Sequence, residues 1–499
     1  SIIETEKNMK SMHLRAISLL VILVMAASML LTSCGGGSGD STAPASDTAQ
    51  TQSEAAETTR VAANLPERDF NGETFTFYGR IYEGAWTAID IIAEEADGEL
   101  VNDAILERTN YIEDTYNVSL AVIKSDSNQV ASQLKTVIAA GDASFDAIVC
   151  DVYDSGALAI EGMLYDLNDI EYIDLEQTWW SHMMNGSLSI GFKNYYATGD
   201  IFIVDNKGTR VFFFNKNMVE EFNLDSPYDL IFDGVWTVEK YMALNEAVGG
   251  DINGDNKITR EDDRFGTMAQ TTLGSVLYFA AGELLTAKDE DDIPYIACNS
   301  DRALSVMNGI SEKIAGSTAI SCSGETKINS LYPDNLVYFQ DGRVLFAPEV
   351  LLHIETMRGC EVDIGIIPPP KYDEDQDAYH CYADGWCVNV VSVPVTNIEP
   401  DKIGFLLEAM AADSLNNLTP AYYEVALTDK FVRDVESVKM LDLILDSVSM
   451  DNANIFAWAG IEGTVSSAIY NGGAIASTIE SKLSSLQTAI DKTVAAFLS

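Results

Sequence analysis

The stretch "DINGDNKITREDD", residues 251–263, carries oxygen-bearing side chains at the spacing that a hard cation needs. A twelve-residue calcium loop takes its ligands from positions 1, 3, 5, 7, 9 and 12. Those positions hold Asp251, Asn253, Asp255, Lys257 (through its carbonyl), Thr259 and Asp262. Position 6 is Asn256 instead of glycine, and position 12 is aspartate instead of a bidentate glutamate, which should weaken binding. The pattern predicts one bound Ca²⁺; the alternative is a solvated acidic loop.

A cysteine near the start of the chain has the sequence context of a lipid attachment site. The apolar run 17–31 is about as long as a signal-peptide core and shorter than the roughly 20 residues of a spanning helix. Basic residues precede the run, and "LTSC" ends it at Cys34, as in a bacterial lipobox. We therefore expect a signal peptide over 1–33, a lipid on Cys34 and a disordered tether, rich in small and polar residues, over 34–66.

The composition of the remaining chain is that of an acidic globular protein. The 499 residues include 77 acidic and 30 basic side chains, for a net charge of -47, and 47% are hydrophobic. Such a charge disfavours nucleic-acid and anionic-lipid partners. About 430 residues follow the tether, which suggests two or three domains. No CxxC pair occurs, so zinc is not expected; Cys381 and Cys387 could form a disulfide, or all the remaining cysteines could be thiols.

Strand and helix patterns alternate along much of the chain. "FTFYGR", "VSLAVIK", "FDAIVCDVYD", "TRVFFFNKN" and "WCVNVVSV" predict strands, as does "KNYYATGDIF". "NQVASQLKTVIAAG", "GALAIEGMLYDLND" and "DKIGFLLEAMAAD" predict helices, and two further helical stretches fill 435–447 and 462–497. Alternation of this kind argues for parallel sheets covered by helices on both faces, here as two α/β lobes.

Several of these segments, in this order, resemble extracellular solute-binding proteins of ABC importers, of the large carbohydrate-binding kind. The segments that carry the resemblance are "FDAIVCDVYDSGALAIEGMLYDLND", "WWSHMMNGSLSIGFKNYYATGDI", "VFFFNKNMVEEFNLDSPYDLIFDGVWTVEKY" and "QDGRVLFAP" with "EVDIGIIPPPKYDEDQ". The resemblance implies a two-lobed periplasmic-binding-protein-like fold of type II, with hinge strands between lobes. By analogy, lobe one comprises 67–206 and 388–418, and lobe two comprises 211–385 and 425–499.

The resemblance also implies a function. A monomeric protein, moored to the outer face of the cell membrane, would bind a small solute, expected to be an oligosaccharide, in the interlobe cleft and deliver it to ABC permease subunits. Loops like 251–262 look structural in that family, so we expect calcium to act as a brace. No second copy of the loop follows, which argues against a dockerin.

Candidate ligand-binding residues follow from the expected position of the cleft. Aromatic rings stack on sugar faces while carboxylates and amides bind hydroxyl groups. Loops after strand carboxyl ends, the lobe crossings and a region where sugar-binding relatives place an aromatic supply the candidates. They are Arg80, Tyr82, Trp86, Asp151, Tyr153, Glu349, Asp384, Trp386 and Trp458. Trp179, Trp180 and Trp236 are instead expected in the core.

Two alternatives remain open. An exported glycoside-active enzyme would need a pair of carboxylates in one cleft, and 77 acidic residues make such a pair uninformative. The sequence contains no GxSxG or HExxH motif and only four histidines, so we expect no enzyme. A peptide-binding or sensory lipoprotein would share the fold, and the sequence does not exclude it.

Overall fold

The computed structural model describes residues 60–80, 91–125, 130–202, 207–322, 334–357, 359–422 and 435–499. The strands are β1 Glu73–Arg80, β2 Val118–Ser125, β3 Ala147–Asp151, β4 Arg210–Asn215, β5 Phe265–Ala269, β6 Thr286–Lys288, β7 Pro294–Ile296, β8 Ile320–Cys322, β9 Val344–Val350, β10 Ile364–Ile367, β11 Cys381–Tyr382, β12 Asn389–Ser392 and β13 Val448–Ser449. The helices are α1 Leu100–Tyr116, α2 Val130–Ala139, α3 Val152–Ala159, α4 His182–Leu188, α5 Lys216–Glu221, α6 Pro227–Phe232, α7 Val238–Val248, α8 Leu273–Ala280, α9 Asp301–Ile314, α10 Asp334–Gln340, α11 Pro400–Ser414, α12 Val435–Leu445, α13 Asn452–Ile455, α14 Ile461–Asn471 and α15 Ile475–Phe497.

The first sheet has the strand order β12-β3-β1-β2. β1 runs parallel to both β2 and β3, and Phe77 pairs with Val122 on one side and Ala147 on the other. β12 joins from the distant end of the chain and runs antiparallel to β3. Every residue of β3 is buried, as expected for a central strand covered on both faces.

The second sheet has the order β10-β4-β9-β5-β8. β4 lies antiparallel to β10 and β9, whereas β5 runs parallel to β9 and β8. The aromatic run in β4 is fully buried, and Phe212 packs edge-on against Tyr241 of α7. Trp236 is also buried there, so its expected core position is confirmed.

Two chain segments run side by side between the sheets. Thr209 and Ala383 form an antiparallel bridge, and the Asp384 amide donates to the Gly208 carbonyl at 2.8 Å. A Cβ on Gly208 would lie 3.1 Å from Cys387, so the close approach favours glycine. The first segment leads into β4 of the second sheet, and the other leads into β12 of the first. The exact lobe boundaries stay predictions.

The structure corrects three details of the sequence interpretation. The helix expected over 156–169 is α3, which begins earlier because the Asp151 carboxylate caps the Asp154 amide. "KNYYATGDIF" forms no strand and contributes only three isolated bridges, from Lys193 to Ile190, Ala197 to Val391 and Gly199 to Trp180. The tether ends sooner than expected, because Arg60 already forms two hydrogen bonds, of 2.7 and 2.9 Å, with Asp413 of α11.

The signal peptide, Cys34 and most of the tether lie outside the described residues. Cys150, Cys298, Cys322, Cys360, Cys381 and Cys387 are all free thiols in the structure, so Cys381 and Cys387 do not bridge in it. Within the described ranges, no helix combines the length and apolar character needed to cross a membrane.

A buried carboxylate holds the outer layer of the first sheet together. Glu408 of α11 accepts hydrogen bonds from the indole nitrogens of Trp179 and Trp180, at 3.0 and 2.8 Å. Both tryptophans are buried, which confirms their expected place in the core. Burial raises the pKa of Glu408 to about 7, because the indole donors only partly replace the lost water.

The raised pKa of Glu408 predicts a specific pH dependence of stability. The folded state binds the proton of the Glu408 carboxyl more tightly than the unfolded chain does. The contribution of this proton to the free energy of unfolding is therefore complete below about pH 4.5 and is lost as the pH rises through 7. We expect Glu408→Gln, which cannot ionise, to gain about 3 kcal/mol of unfolding free energy relative to wild type between pH 4.5 and 7.5. Urea denaturation at several pH values measures this. The exposed Glu436→Gln is the control, and parallel curves for Glu408→Gln and wild type would contradict the assignment.

Candidate functional site

An exposed tryptophan lies where the chain passes from β11 to β12. Trp386 occupies the single turn Gly385–Cys387 and is 57% exposed. Its ring lies 4.9 Å, centroid to centroid, from that of Tyr153 in the first turn of α3. Gly385 permits this approach, since a Cβ there would come within 2.7 Å of the tyrosine ring. The structure therefore brings together two predicted ligand-binding aromatics that are more than 200 residues apart.

A buried arginine supports this aromatic pair from the second sheet. Nη2 of Arg210, the first residue of β4, lies 2.5 Å from Oδ2 of Asp384, and Nη1 lies 3.8 Å from Oε2 of Glu349 in β9. The other Asp384 oxygen accepts from the Trp386 amide at 3.2 Å. Although burial lowers the pKa of Arg210, the charges of Asp384 and Glu349 outweigh it and raise that pKa.

Glu349 was predicted to contact the ligand, but it is fully buried and its oxygens are occupied. Gln270 donates to both oxygens at 3.0 and 2.9 Å, Asn335 donates to one at 2.8 Å, and Nδ1 of His353 lies 3.1 Å from the other. Burial raises its pKa, but the His353 contact and the Arg210 charge outweigh burial, so the pKa is lowered overall. The geometry indicates that Glu349 positions Arg210 instead of contacting a ligand.

Arg80 and Asp151 also meet, at the carboxyl ends of β1 and β3, where they form an ion pair. Asp151 is fully buried at the start of α3, directly before the residues that lead to Tyr153. Burial and the charge of Asp154 raise the pKa of Asp151 to about 7 despite Arg80. The ion pair fixes the N-terminal end of α3. Asp151 is fully buried, so it offers no exposed oxygen to a ligand. Tyr82 and Trp86 lie outside the described residues.

Two polar residues near the C-terminus, Asn454 and Glu462, extend the site beyond Tyr153. The Tyr153 hydroxyl donates to Oδ1 of Asn454 at 2.7 Å, and the Asn454 amide donates to Glu462. Sequence reasoning chose Trp458 in this region, but that side chain is only 3% exposed and its indole donates to Thr493 at 2.9 Å. Burial argues against the predicted stacking of Trp458 on a ligand. Arg210, Asn454 and Glu462 were missed, and no spacing in the sequence points to them.

The predicted calcium loop is held by hydrogen bonds from its backbone amides to its own Asp and Asn side chains. The Asp251 carboxylate accepts from the amides of Gly254 and Asn256, both at 2.7 Å, and Asn256 has the expected positive φ of 62°. Asp262 is exposed, whereas the next residue, Asp263, is buried and accepts from the Thr259 amide at 2.7 Å. Across the described ranges, no three His, Cys, Asp or Glu side chains converge as a metal site.

A model of the bacterial extracellular solute-binding protein family matches residues 108–400, more than half of the chain. The chain belongs to this family. The resemblance seen in the sequence is thereby confirmed. A search of curated proteins gives no match for this solute-binding protein.

Solved structures confirm the two-lobed fold class. The cyclic alpha-maltosyl-1,6-maltose binding protein from Arthrobacter globiformis superposes with a TM-score of 0.56 and 12% identity, covering 84% of this chain and 98% of that one. A cyclo/maltodextrin-binding protein complexed with maltotetraose gives 0.53 and 13%, covering 87% and 98%. UgpB from Mycobacterium tuberculosis, in complex with glycerophosphocholine, gives 0.50 and 15%, covering 84% and 98%. At these identities the likeness extends to the fold alone.

The Arg210 arrangement predicts a large loss of stability when its charge is removed. We expect Arg210→Met to lower the free energy of unfolding by about 3–5 kcal/mol, because two carboxylates lose their buried cation. Urea denaturation at pH 7 measures the change. Arg302→Met is the matched control, because Arg302 is exposed and its ion pair with Glu283 should contribute less than about 1 kcal/mol. Equal losses in the two variants would contradict a supporting role for Arg210.

Proposed function

We propose that this solute-binding protein captures an oligosaccharide at the Tyr153–Trp386 aromatic pair and delivers it to an ABC permease. The observation that carries the proposal is the exposed Trp386 ring, held over Tyr153 beside the Asp384–Arg210 ion pair. A sugar ring presents an apolar C–H face that packs on an aromatic ring, and hydroxyl groups that bond to carboxylate and guanidinium groups. The site offers both kinds of contact within one short stretch of surface.

The ligands of two similar structures support the choice of solute class. Both proteins are described by the maltose-type sugars that they bind, which are neutral and rich in hydroxyl groups. A third, solved with the zwitterion glycerophosphocholine, shows that the fold also accommodates other solutes. The net charge of -47 disfavours an anionic solute, which makes a neutral or cationic sugar the better candidate.

The remaining parts of the proposal concern where and how the protein works. Lipid attachment at Cys34 would hold the folded unit at the outer membrane surface by its tether, and the protein would act there as a monomer. Binding would be its whole chemistry, with the ligand released unchanged to the permease. Lobe closure around the ligand would follow from contacts made to both lobes at once.

The proposal predicts that binding depends on the Trp386 ring. Isothermal titration of the chain from residue 60 with a panel of neutral and cationic oligosaccharides should find a ligand, and Trp386→Ala should weaken its binding at least about tenfold, through loss of stacking worth over 1 kcal/mol. Tyr295→Ala is the matched control, because Tyr295 is 49% exposed on the separate β6–β7 hairpin.

Two results would count against the proposal. One is that no sugar binds, and the other is that Tyr295→Ala weakens binding as much as Trp386→Ala does. Chromatography of the ligand after incubation separates binding from the enzyme alternative, because a binding protein returns the sugar uncleaved.

We also propose that the 251–262 loop binds Ca²⁺ as a structural brace. Asp251, Asn253 and Asp255 follow one another around the turn, and the buried Thr259 hydroxyl has no hydrogen-bond partner among the described residues. That oxygen is therefore available to a cation. The outward position of Asp262 leaves the last ligand position to its neighbour Asp263 or to water.

A bound calcium ion would stabilise the folded state by mass action. At a hundredfold excess over its Kd, Ca²⁺ should raise the free energy of unfolding by about 2.7 kcal/mol, and chelation should remove the gain. Thermal unfolding with Ca²⁺, Mg²⁺ or chelator measures this. Asp255→Asn should abolish the response, whereas the exposed Asp291→Asn, outside the loop, should retain it. A melting temperature that is unchanged by Ca²⁺ and chelator would reduce the segment to a solvated loop.

A further inference from the structure

Glu462, in the first turn of α14, is a half-buried carboxylate whose hydrogen-bond donors are all neutral. Asn454 donates to Oε2, and the Ser275 hydroxyl donates to Oε1 at 3.1 Å. Within the described part of the chain, no basic side chain forms an ion pair with it. Burial first, and then the negative charge of Asp384, raise its pKa. A partly buried carboxylate is costly unless a cation or a proton compensates it.

An unsatisfied hydroxyl belongs to a tyrosine that packs on the same helix as this carboxylate, because α8 contributes Ser275 to Glu462 and, one turn later, Phe279 to Tyr382. The Tyr382 ring stacks on Phe279, with centroids 4.3 Å apart, and the residue is 5% exposed. Its hydroxyl oxygen is buried and has no hydrogen-bond partner among the described residues. Burial, followed by the charges of Glu462 and nearby groups including Asp384, raises the Tyr382 pKa. A buried hydroxyl without a partner points to a group that the bound solute supplies.

The charges around the aromatic pair do not balance. Arg210 is shared between Asp384 and Glu349, and Glu349 is also held by His353. Glu462 has only neutral hydrogen-bond partners among the described residues, and the charge of Arg210 acts on it only from beyond ion-pair distance, so the site keeps an excess of negative charge. A sugar hydroxyl could hydrogen-bond there but would not neutralise that charge.

We propose that the solute bound at this site is an amino sugar, whose ammonium group pairs with Glu462 and donates to the Tyr382 hydroxyl. This rests on the proposed function and names its substrate class. An ammonium carries three donors, which suit a carboxylate oxygen, a tyrosine oxygen and a further acceptor.

Two tetrasaccharides of one linkage test the inference. A β-1,4-linked glucosamine tetramer and the corresponding glucose tetramer differ by an ammonium in place of a hydroxyl on each ring. Isothermal titration should show the glucosamine tetramer binding about ten- to a hundredfold more tightly, the range of a charge-assisted contact. Glu462→Gln keeps the size of the side chain and should reduce that preference to less than about threefold, with no loss of fold by thermal unfolding.

Tyr382→Phe provides a second variant that should not disturb folding, because the hydroxyl it removes has no hydrogen-bond partner among the described residues. It should weaken glucosamine-tetramer binding about three- to tenfold while leaving the melting temperature unchanged. Tyr196→Phe is the matched control. Tyr196 is 1% exposed, its hydroxyl also lacks a partner among the described residues, and burial alone raises its pKa. Its loss should leave binding unchanged.

The outcomes separate this inference from the proposed function. If neutral oligosaccharides bind through Trp386 at least as tightly as the glucosamine tetramer, the amine assignment is overturned and the proposed function stands. If no sugar of either kind binds, both are overturned. A glucosamine preference that persists in Glu462→Gln would reflect general attraction to an acidic protein, and would overturn the assignment to Glu462.

Discussion

The buried guanidinium of Arg210 is the interaction on which the site depends. A buried guanidinium charge lowers the free energy of unfolding unless carboxylates compensate it. Here Asp384, in the segment after β11, and Glu349, in β9, provide that compensation. Glu349 is fixed in β9, so the position of Arg210 is set by the second sheet. Asp384 in turn caps the Gly385–Cys387 turn, so the ion pair determines where Trp386 lies. The second sheet therefore sets the position of the exposed Trp386 ring through Arg210 and Asp384.

Three glutamates that are wholly or partly buried differ in how the surrounding groups compensate their charge. Glu349 is surrounded by amides, a histidine and an arginine, and its pKa is lowered. Glu408 has only the indole donors of Trp179 and Trp180 and a backbone amide, and its pKa rises to about 7. Glu462 has a serine and an asparagine, and its pKa is also raised. The first is compensated by the Arg210 cation and by hydrogen-bond donors, the second is structural, and the third lies near the aromatic pair, where an external group could compensate it.

Much of the fold could be predicted from the sequence because buried strands leave a local signal. The apolar runs of β3 and β4 and the long C-terminal helices were visible from a few neighbouring residues each. The site was less predictable, because its contacts join distant parts of the chain. Trp386 and Tyr153 were found as separate candidates, but nothing local shows that Trp458 turns inward or that Glu349 is enclosed. Burial of a tryptophan or carboxylate depends on elements that pack from elsewhere, so residue type and spacing alone do not determine it.

Asn454 connects Glu462 to Tyr153 of α3 through the two ends of its side-chain amide. Its amide oxygen accepts from Tyr153 at the start of α3, and its amide nitrogen donates to Glu462. An ionised Glu462 polarises that amide and strengthens its oxygen as an acceptor for the tyrosine hydroxyl. A cation bound to Glu462 would reduce this polarisation of the Asn454 amide, and would itself form a new contact with Glu462. The charge state of Glu462 and the strength of the hydrogen bond between Tyr153 and Asn454 are therefore linked through a single side-chain amide.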